Sequence, residues 1–135
     1  MNLSIGEVAA RTGLSVHTLR FYENEELFAR PVRRDSAGRR VFDEDDVGWL
    51  HFCMRLRDSG MPVPAIREYA ALVRAGEGNE PRRLELLREH QERVAARLDE
   101  LVTCQQIIDT KVKMYQERVG GNTADPFFKV PAKQG

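Results

Sequence analysis

The chain has 135 residues, with 21 Lys plus Arg against 21 Asp plus Glu, and a formal net charge of zero. That length holds one compact domain and one extended element, and zero net charge excludes bulk electrostatic attraction to nucleic acid, so any such contact must come from local patterning. Cys53 and Cys104 stand in no metal-type spacing, no apolar run spans a membrane, and Met1 to Ala10 has no leader character; a cytoplasmic protein with reduced thiols, no metal and no membrane is expected.

Ser4-Ile5-Gly6-Glu7 has the form of a capping box, and Ile5, Val8 and Ala9 supply the apolar face of a short first helix. Thr12-Gly13-Leu14-Ser15 breaks it: Gly13 suits a left-handed turn position and Ser15 is an N-cap for a second helix. That helix runs from Val16 to about Glu25. Val16 and Leu19 point inward, and His17, Arg20, Phe21 and Asn24 share the opposite face. The pair reads as a helix-turn-helix, or alone as an ordinary helical hairpin with a solvated face. Leu27 to Arg34 then reads as a strand, Asp35-Ser36-Ala37-Gly38 as a turn, and Arg39 to Phe42 as the returning strand. Five arginines against the single acid Asp35 lie between Arg30 and Arg40. Such a hairpin beside a helix-turn-helix is a wing that grips phosphates; the plain alternative is a solvated ribbon.

Asp43 to Asp46 forms an acidic N-terminus for a third helix that ends at Ser59-Gly60. Pro62-Val63-Pro64 opens a fourth, with Ile66, Tyr69, Ala70 and Val73 on its apolar face. Ala75 to Pro81 is a break. From Arg82 to Val119 an a/d seam follows: Leu84, Leu87, Gln91, Val94, Leu98, Leu101, Gln105, Ile108, Val112, Tyr115 and Val119. A helix of that length spans roughly 55 Å at about 1.5 Å per residue. Upstream elements are too short to cover it as an intramolecular hairpin, so the seam predicts a coiled coil with a second copy. Gln91 and Gln105 would weaken the pairing and help to set its register. The expected organisation is a DNA-binding domain over 1–75, a linker over 76–81, a dimerisation helix over 82–119 and a flexible tail over 120–135, with Phe127-Phe128 as its one apolar spot.

His17, His51 and His90 join no catalytic constellation, and no phosphate loop or zinc motif is present, so neither an enzyme nor a cofactor is expected. Cys53 lies on the apolar face of the third helix. It reads as a small hydrophobe, or as a thiol sensor if Arg55 or Arg57 supplies a cation. Cys104 flanks the seam and reads as rim packing or an intersubunit disulfide.

In order along the chain, Ser4-Ile5-Gly6-Glu7-Val8-Ala9, Thr18-Leu19-Arg20-Phe21-Tyr22-Glu23, Pro31 with Arg33, Gly38 with Arg40, Asp46-Val47 and Gly60-Met61 resemble the MerR family of transcription regulators. The resemblance covers about the first 70 residues. It implies a mainly α winged helix-turn-helix fold with a two-stranded wing and a long helix forming an antiparallel coiled-coil homodimer. The implied partner is a pseudo-palindromic operator in double-stranded promoter DNA. The dimer bends and untwists that DNA in response to an unidentified effector and so acts on RNA polymerase indirectly. Carried over position by position, the implied groove contacts are His17, Thr18, Arg20, Phe21 and Tyr22, with Tyr22 as the phosphate anchor. The implied wing contacts are Arg33, Arg34, Arg39 and Arg40. Arg39 departs from a position that is often Tyr, Glu26 stands where Gly is usual, and Pro62 replaces a Ser or Thr N-cap. Short relatives with few cysteines look like regulators of aldehyde and nitrosative stress, but their reactive cysteine aligns with Arg55, two positions past Cys53. Two further readings remain: an architectural DNA protein without an effector, and a coiled-coil adaptor that binds protein.

Overall fold

The computed structural model describes residues 2–120. The expected tail with Phe127-Phe128 lies outside the described residues. The elements are α1 (Ile5–Thr12), α2 (Val16–Asn24), β1 (Arg33–Arg34), β2 (Arg40–Val41), α3 (Glu44–Asp58), α4 (Val63–Ala75) and α5 (Glu80–Gly120). No helix among the described residues is long and apolar enough to cross a membrane. The chain divides into two compact units, Met1–Glu92 and Arg93–Gly135.

In the first unit the caps form as the residue types dictate. Ser4 accepts from the Glu7 amide while the Glu7 carboxylate accepts from the Ser4 amide, closing a capping box on α1. Gly13 ends α1 at φ 80°, and Ser15 caps α2. Asp43 and Asp46 close the same reciprocal box on α3, whose two further first-turn acids, Glu44 and Asp45, complement its dipole. Pro62 gives α4 no side-chain cap; Pro64 in the first turn fits because its missing N–H has no helical partner there.

The core gathers Val8, Leu19, Phe42, Leu50, Met61 and Ile66, each 2% exposed or less, with Leu27, Phe28 and Cys53 beside them. Leu3 pairs with Phe42 in an isolated bridge, with amide–carbonyl distances of 2.7 and 2.9 Å, and so ties the N-terminus to the wing's base. The wing is far shorter than the sequence suggests. Its register is Arg33 opposite Val41 and Arg34 opposite Arg40, and nothing between Leu27 and Val32 is strand. The reason is where the backbone groups of that stretch find partners. Trp49 Nε1 donates to the Leu27 carbonyl at 2.7 Å, and Arg74 Nη1 donates to the Glu26 and Phe28 carbonyls at 2.8 and 2.5 Å. Side chains from α3 and α4 take the place of a ladder.

α2 ends in a Schellman turn. The Leu27 amide donates to Tyr22 O and the Glu26 amide to Glu23 O. Glu26 occupies the left-handed position at φ 57°. The turn therefore keeps the geometry glycine would favour, with an L side chain in it.

α5 begins at Glu80, and its first turns pack within the first unit, past the expected domain end at 75. Arg82 grips Glu68 of α4 with two bonds of 2.7 and 3.0 Å. Arg83 donates to the Leu72 and Gly76 carbonyls at the end of α4. Ser59, at the end of α3, meets His90 Nε2 at 2.8 Å. Leu86 and His90 are buried here and Leu87 is half-buried against the core, whereas Leu84 is 51% exposed. The buried face of these turns thus lies part of a turn from the expected seam position Leu84, which is exposed as Leu98 and Leu101 are. In the second unit Leu98, Leu101, Ile108, Val112 and Tyr115 are exposed along one stripe.

The strain at Glu26 is testable. A left-handed L residue costs about 1–2 kcal/mol, and Gly loses about 0.5–1 kcal/mol more chain entropy. Glu26→Gly should raise the unfolding free energy by about 0.5–1 kcal/mol in urea melts. Glu26→Ala, which keeps the strain, should not.

Candidate nucleic-acid interface

The helix-turn-helix presents one face of α2. His17, Arg20, Phe21 and Asn24 are exposed on it, and Phe21 keeps 44% of its surface. Arg20 makes no hydrogen bond or ion pair with any described residue. Thr18 is half-buried, and its Oγ1 accepts from the Ser15 hydroxyl at 2.9 Å within the cap. Tyr22 departs from expectation. At 6% exposure its ring belongs to the core, edge-on to Phe21 with centroids 6.4 Å apart. Burial raises its phenol pKa, and the Cys53 thiol beneath adds to that while Arg57 opposes it. Tyr22 is thereby a core residue with its ring away from the groove face. Helical spacing already places Tyr22 three residues on from the inward-facing Leu19, away from the face that carries His17, Arg20, Phe21 and Asn24.

The wing tip is built by Asp35. Its carboxylate accepts from the Ala37 and Arg39 amides, both at 2.9 Å, which holds its pKa low. Gly38 supplies the left-handed turn residue at φ 81°. Arg39 at this tip is 81% exposed, and its one ion pair is with Asp35 at 3.5 Å.

The other wing arginines are engaged within the chain. Arg33 reaches Asp43 at 3.2 Å and Asp46 at 3.9 Å; Arg30 reaches both as well. Arg34 donates to Gly38 O at 2.9 Å and lies 3.7 Å from Glu23. Arg40 Nε donates to Glu23 Oε1 at 2.6 Å. The Asp46 amide, then Arg30 and Arg33, hold the Asp43 pKa low. Of the four arginines expected on phosphate, Arg39 is the one presented freely, and Arg40, at 22% exposure, is the most covered. Of the arginines at the end of α3, Arg55 pairs with Asp58 at 3.3 Å and Arg57 donates to Met61 O at 3.1 Å.

α4 contributes residues that sequence reading passed over. Arg67 Nε donates to the Glu25 carbonyl at 3.1 Å, and its Nη2 pairs with the Glu25 carboxylate. Together with Arg74 it clamps the exit of α2. Their i, i+7 spacing on one face of α4 was the available signal.

Cys53 is fully buried, with Sγ 4.0 Å from Leu27 O, and burial pushes its pKa up to about 12. The thiol is the stable form here, and neither Arg55 nor Arg57 is turned to it as a hydrogen-bond partner. In this conformation Cys53 packs as a small hydrophobe. Cys104 is exposed.

The chain matches a family model described as MerR HTH family regulatory protein over residues 3–72, and one described as MerR, DNA binding over 47–110. It is 34% identical over 92 residues to the HTH-type transcriptional regulator AdhR of Bacillus subtilis, covering 68% of this chain and 65% of that protein. It is 30% identical to an uncharacterized HTH-type transcriptional regulator of Haemophilus influenzae, covering 87% of this chain and 86% of that one. The aligned stretch thus spans just under two thirds of AdhR. Among solved structures, a MerR family transcriptional regulator from Listeria monocytogenes superposes with a TM-score of 0.82 at 31% identity, over 87% of this chain and 88% of that one. HiNmlR, described as a MerR family regulator lacking the sensor domain and bound to promoter DNA, superposes with a TM-score of 0.80 at 28% identity, over 91% and 97%.

The two thiols should separate in titration with a chromogenic disulfide. Cys104 should react at once in the native chain, and Cys53 should react on denaturation only. A Cys104→Ser chain that still reacts rapidly would show that Cys53 is reached without unfolding.

Proposed function

This chain belongs to the MerR family of helix-turn-helix regulatory proteins, which are DNA-binding regulators of transcription, and from that membership we propose how it acts. It works as a homodimer on a pseudo-palindromic operator in promoter DNA, without catalysing a reaction. α2 enters the major groove, where Arg20 reads a base edge or grips a phosphate beside His17 and Phe21. Arg39 carries the wing's contact with the flanking phosphates. The bound dimer distorts the promoter in response to a signal, and RNA polymerase senses the DNA rather than the protein.

The observation that carries this reading is the exposed face of α2, on which Arg20 has no hydrogen-bond or ion-pair partner among the described residues. Arg33, Arg34 and Arg40 of the wing are paired inside the chain, so Arg20 on α2 and Arg39 at the wing tip are the charges of this surface proposed for docking. Promoter DNA held by HiNmlR supports the same use of this face. The dimer is supported by the exposed stripe from Leu98 to Tyr115. Burying one such side chain contributes about 1.5–3 kcal/mol, so a few of them offset the cost of association.

Arg20→Ala should relax sequence preference at one position of each half-site, at about 1–3 kcal/mol, if Arg20 reads a base. Arg39→Ala should weaken binding to all duplexes and lower the salt slope by about one unit per protomer. Light scattering should return twice 15.4 kDa. Leu101→Glu should shift it toward the monomer and weaken operator binding with it. A flat salt dependence in the parent chain would remove the DNA-binding mechanism altogether.

A further inference from the structure

Arg40 lies in the wing, yet its geometry differs from that of a phosphate contact. It bonds Glu23 at 2.6 Å, and the two side chains are 22% and 23% exposed. Glu23 lies in the last turn of α2, and its other oxygen faces Arg34 at 3.7 Å. Arg34 and Arg40 are a register pair across the wing. One carboxylate of the recognition helix is therefore held by both strands of the hairpin. Those strands are two residues each, too short to set their own orientation. A carboxylate beside a DNA-facing surface repels phosphate, so its presence there calls for a compensating role.

We propose that Glu23 is a specificity-determining positioning residue. Through Arg40, with Arg34 as a second tie, it sets the wing against α2, so that Arg20 and Arg39 meet base edge and phosphate of one half-site together. Binding any duplex needs cations alone. Binding one sequence in register needs the groove contact and the backbone contact at a set separation, which is what phosphate contacts provide. The inference rests on the DNA-binding reading above and adds a residue whose charge has the wrong sign for that task on its own.

The test uses a duplex selected by the full-length parent chain from a random pool, and a scrambled duplex of the same composition, each across a salt series. Glu23→Gln deletes a negative charge, so bulk electrostatics alone would tighten binding to both. The proposal expects about tenfold weaker binding to the selected duplex, with the scrambled duplex unchanged or tighter and the salt slope not reduced. Arg40→Lys keeps the charge and loses the Nε donor, which a phosphate contact tolerates and a positioning contact does not. The same loss is expected there, and the double variant should lose no more than either single one. Tighter or unchanged binding of the selected duplex by Glu23→Gln overturns the proposal, as does a neutral Arg40→Lys. Equal loss on both duplexes assigns the pair to fold stability and overturns it too. A parent chain that selects no duplex and shows no salt dependence instead brings down the DNA-binding reading, and this inference with it.

Discussion

The DNA face depends on how the chain leaves its recognition helix. From Glu25 to Phe28 the backbone belongs to no helix or strand, and three consecutive carbonyls together with the Phe28 carbonyl need donors from elsewhere. Arg67 supplies Glu25, Arg74 supplies Glu26 and Phe28, and Trp49 supplies Leu27. Trp49 is itself stacked on Tyr69 of α4, with centroids 5.8 Å apart and planes 1° from parallel. α3 and α4 thus do more than fill the core beneath α2. They hold the turn that aims it, and they keep Glu26 in a left-handed conformation that an isolated peptide would leave.

The same accounting explains how a chain of zero net charge presents a cationic surface. The arginines of the wing are many, but carboxylates on α2 and the α3 cap pair with most of them: Glu23, Asp43 and Asp46. These pairs are partly exposed and individually contribute little to stability. Their effect is geometric. They join the short wing to α2 on one side and to the N-terminus of α3 on the other, and they leave Arg20 and Arg39 as the charges directed outward.

α5 serves two units with different faces. Leu86, Leu87 and His90 pack within the first, and Arg82 and Arg83 tie the same turns to α4. In the second unit an exposed apolar stripe begins at Leu98. Because the helix is continuous from Glu80 to Gly120, the clamp on the recognition helix and the apolar seam are carried by contiguous hydrogen-bonded elements, α4 and α5.

The sequence by itself determined what depends on neighbours within a few residues. The capping boxes of Ser4 with Glu7 and of Asp43 with Asp46, the glycine turn at Gly13, the exposed face of α2 and the long α5 all follow from local spacing, and the structure has them. The order of short motifs also pointed to the right family. Tertiary structure decided the rest. Whether Arg40 faces phosphate or Glu23 depends on the wing folding back against α2. The missing strand before Arg33 depends on donors from α3 and α4. Each of these is a competition between a local pattern and a long-range partner, and periodicity carries no term for the partner.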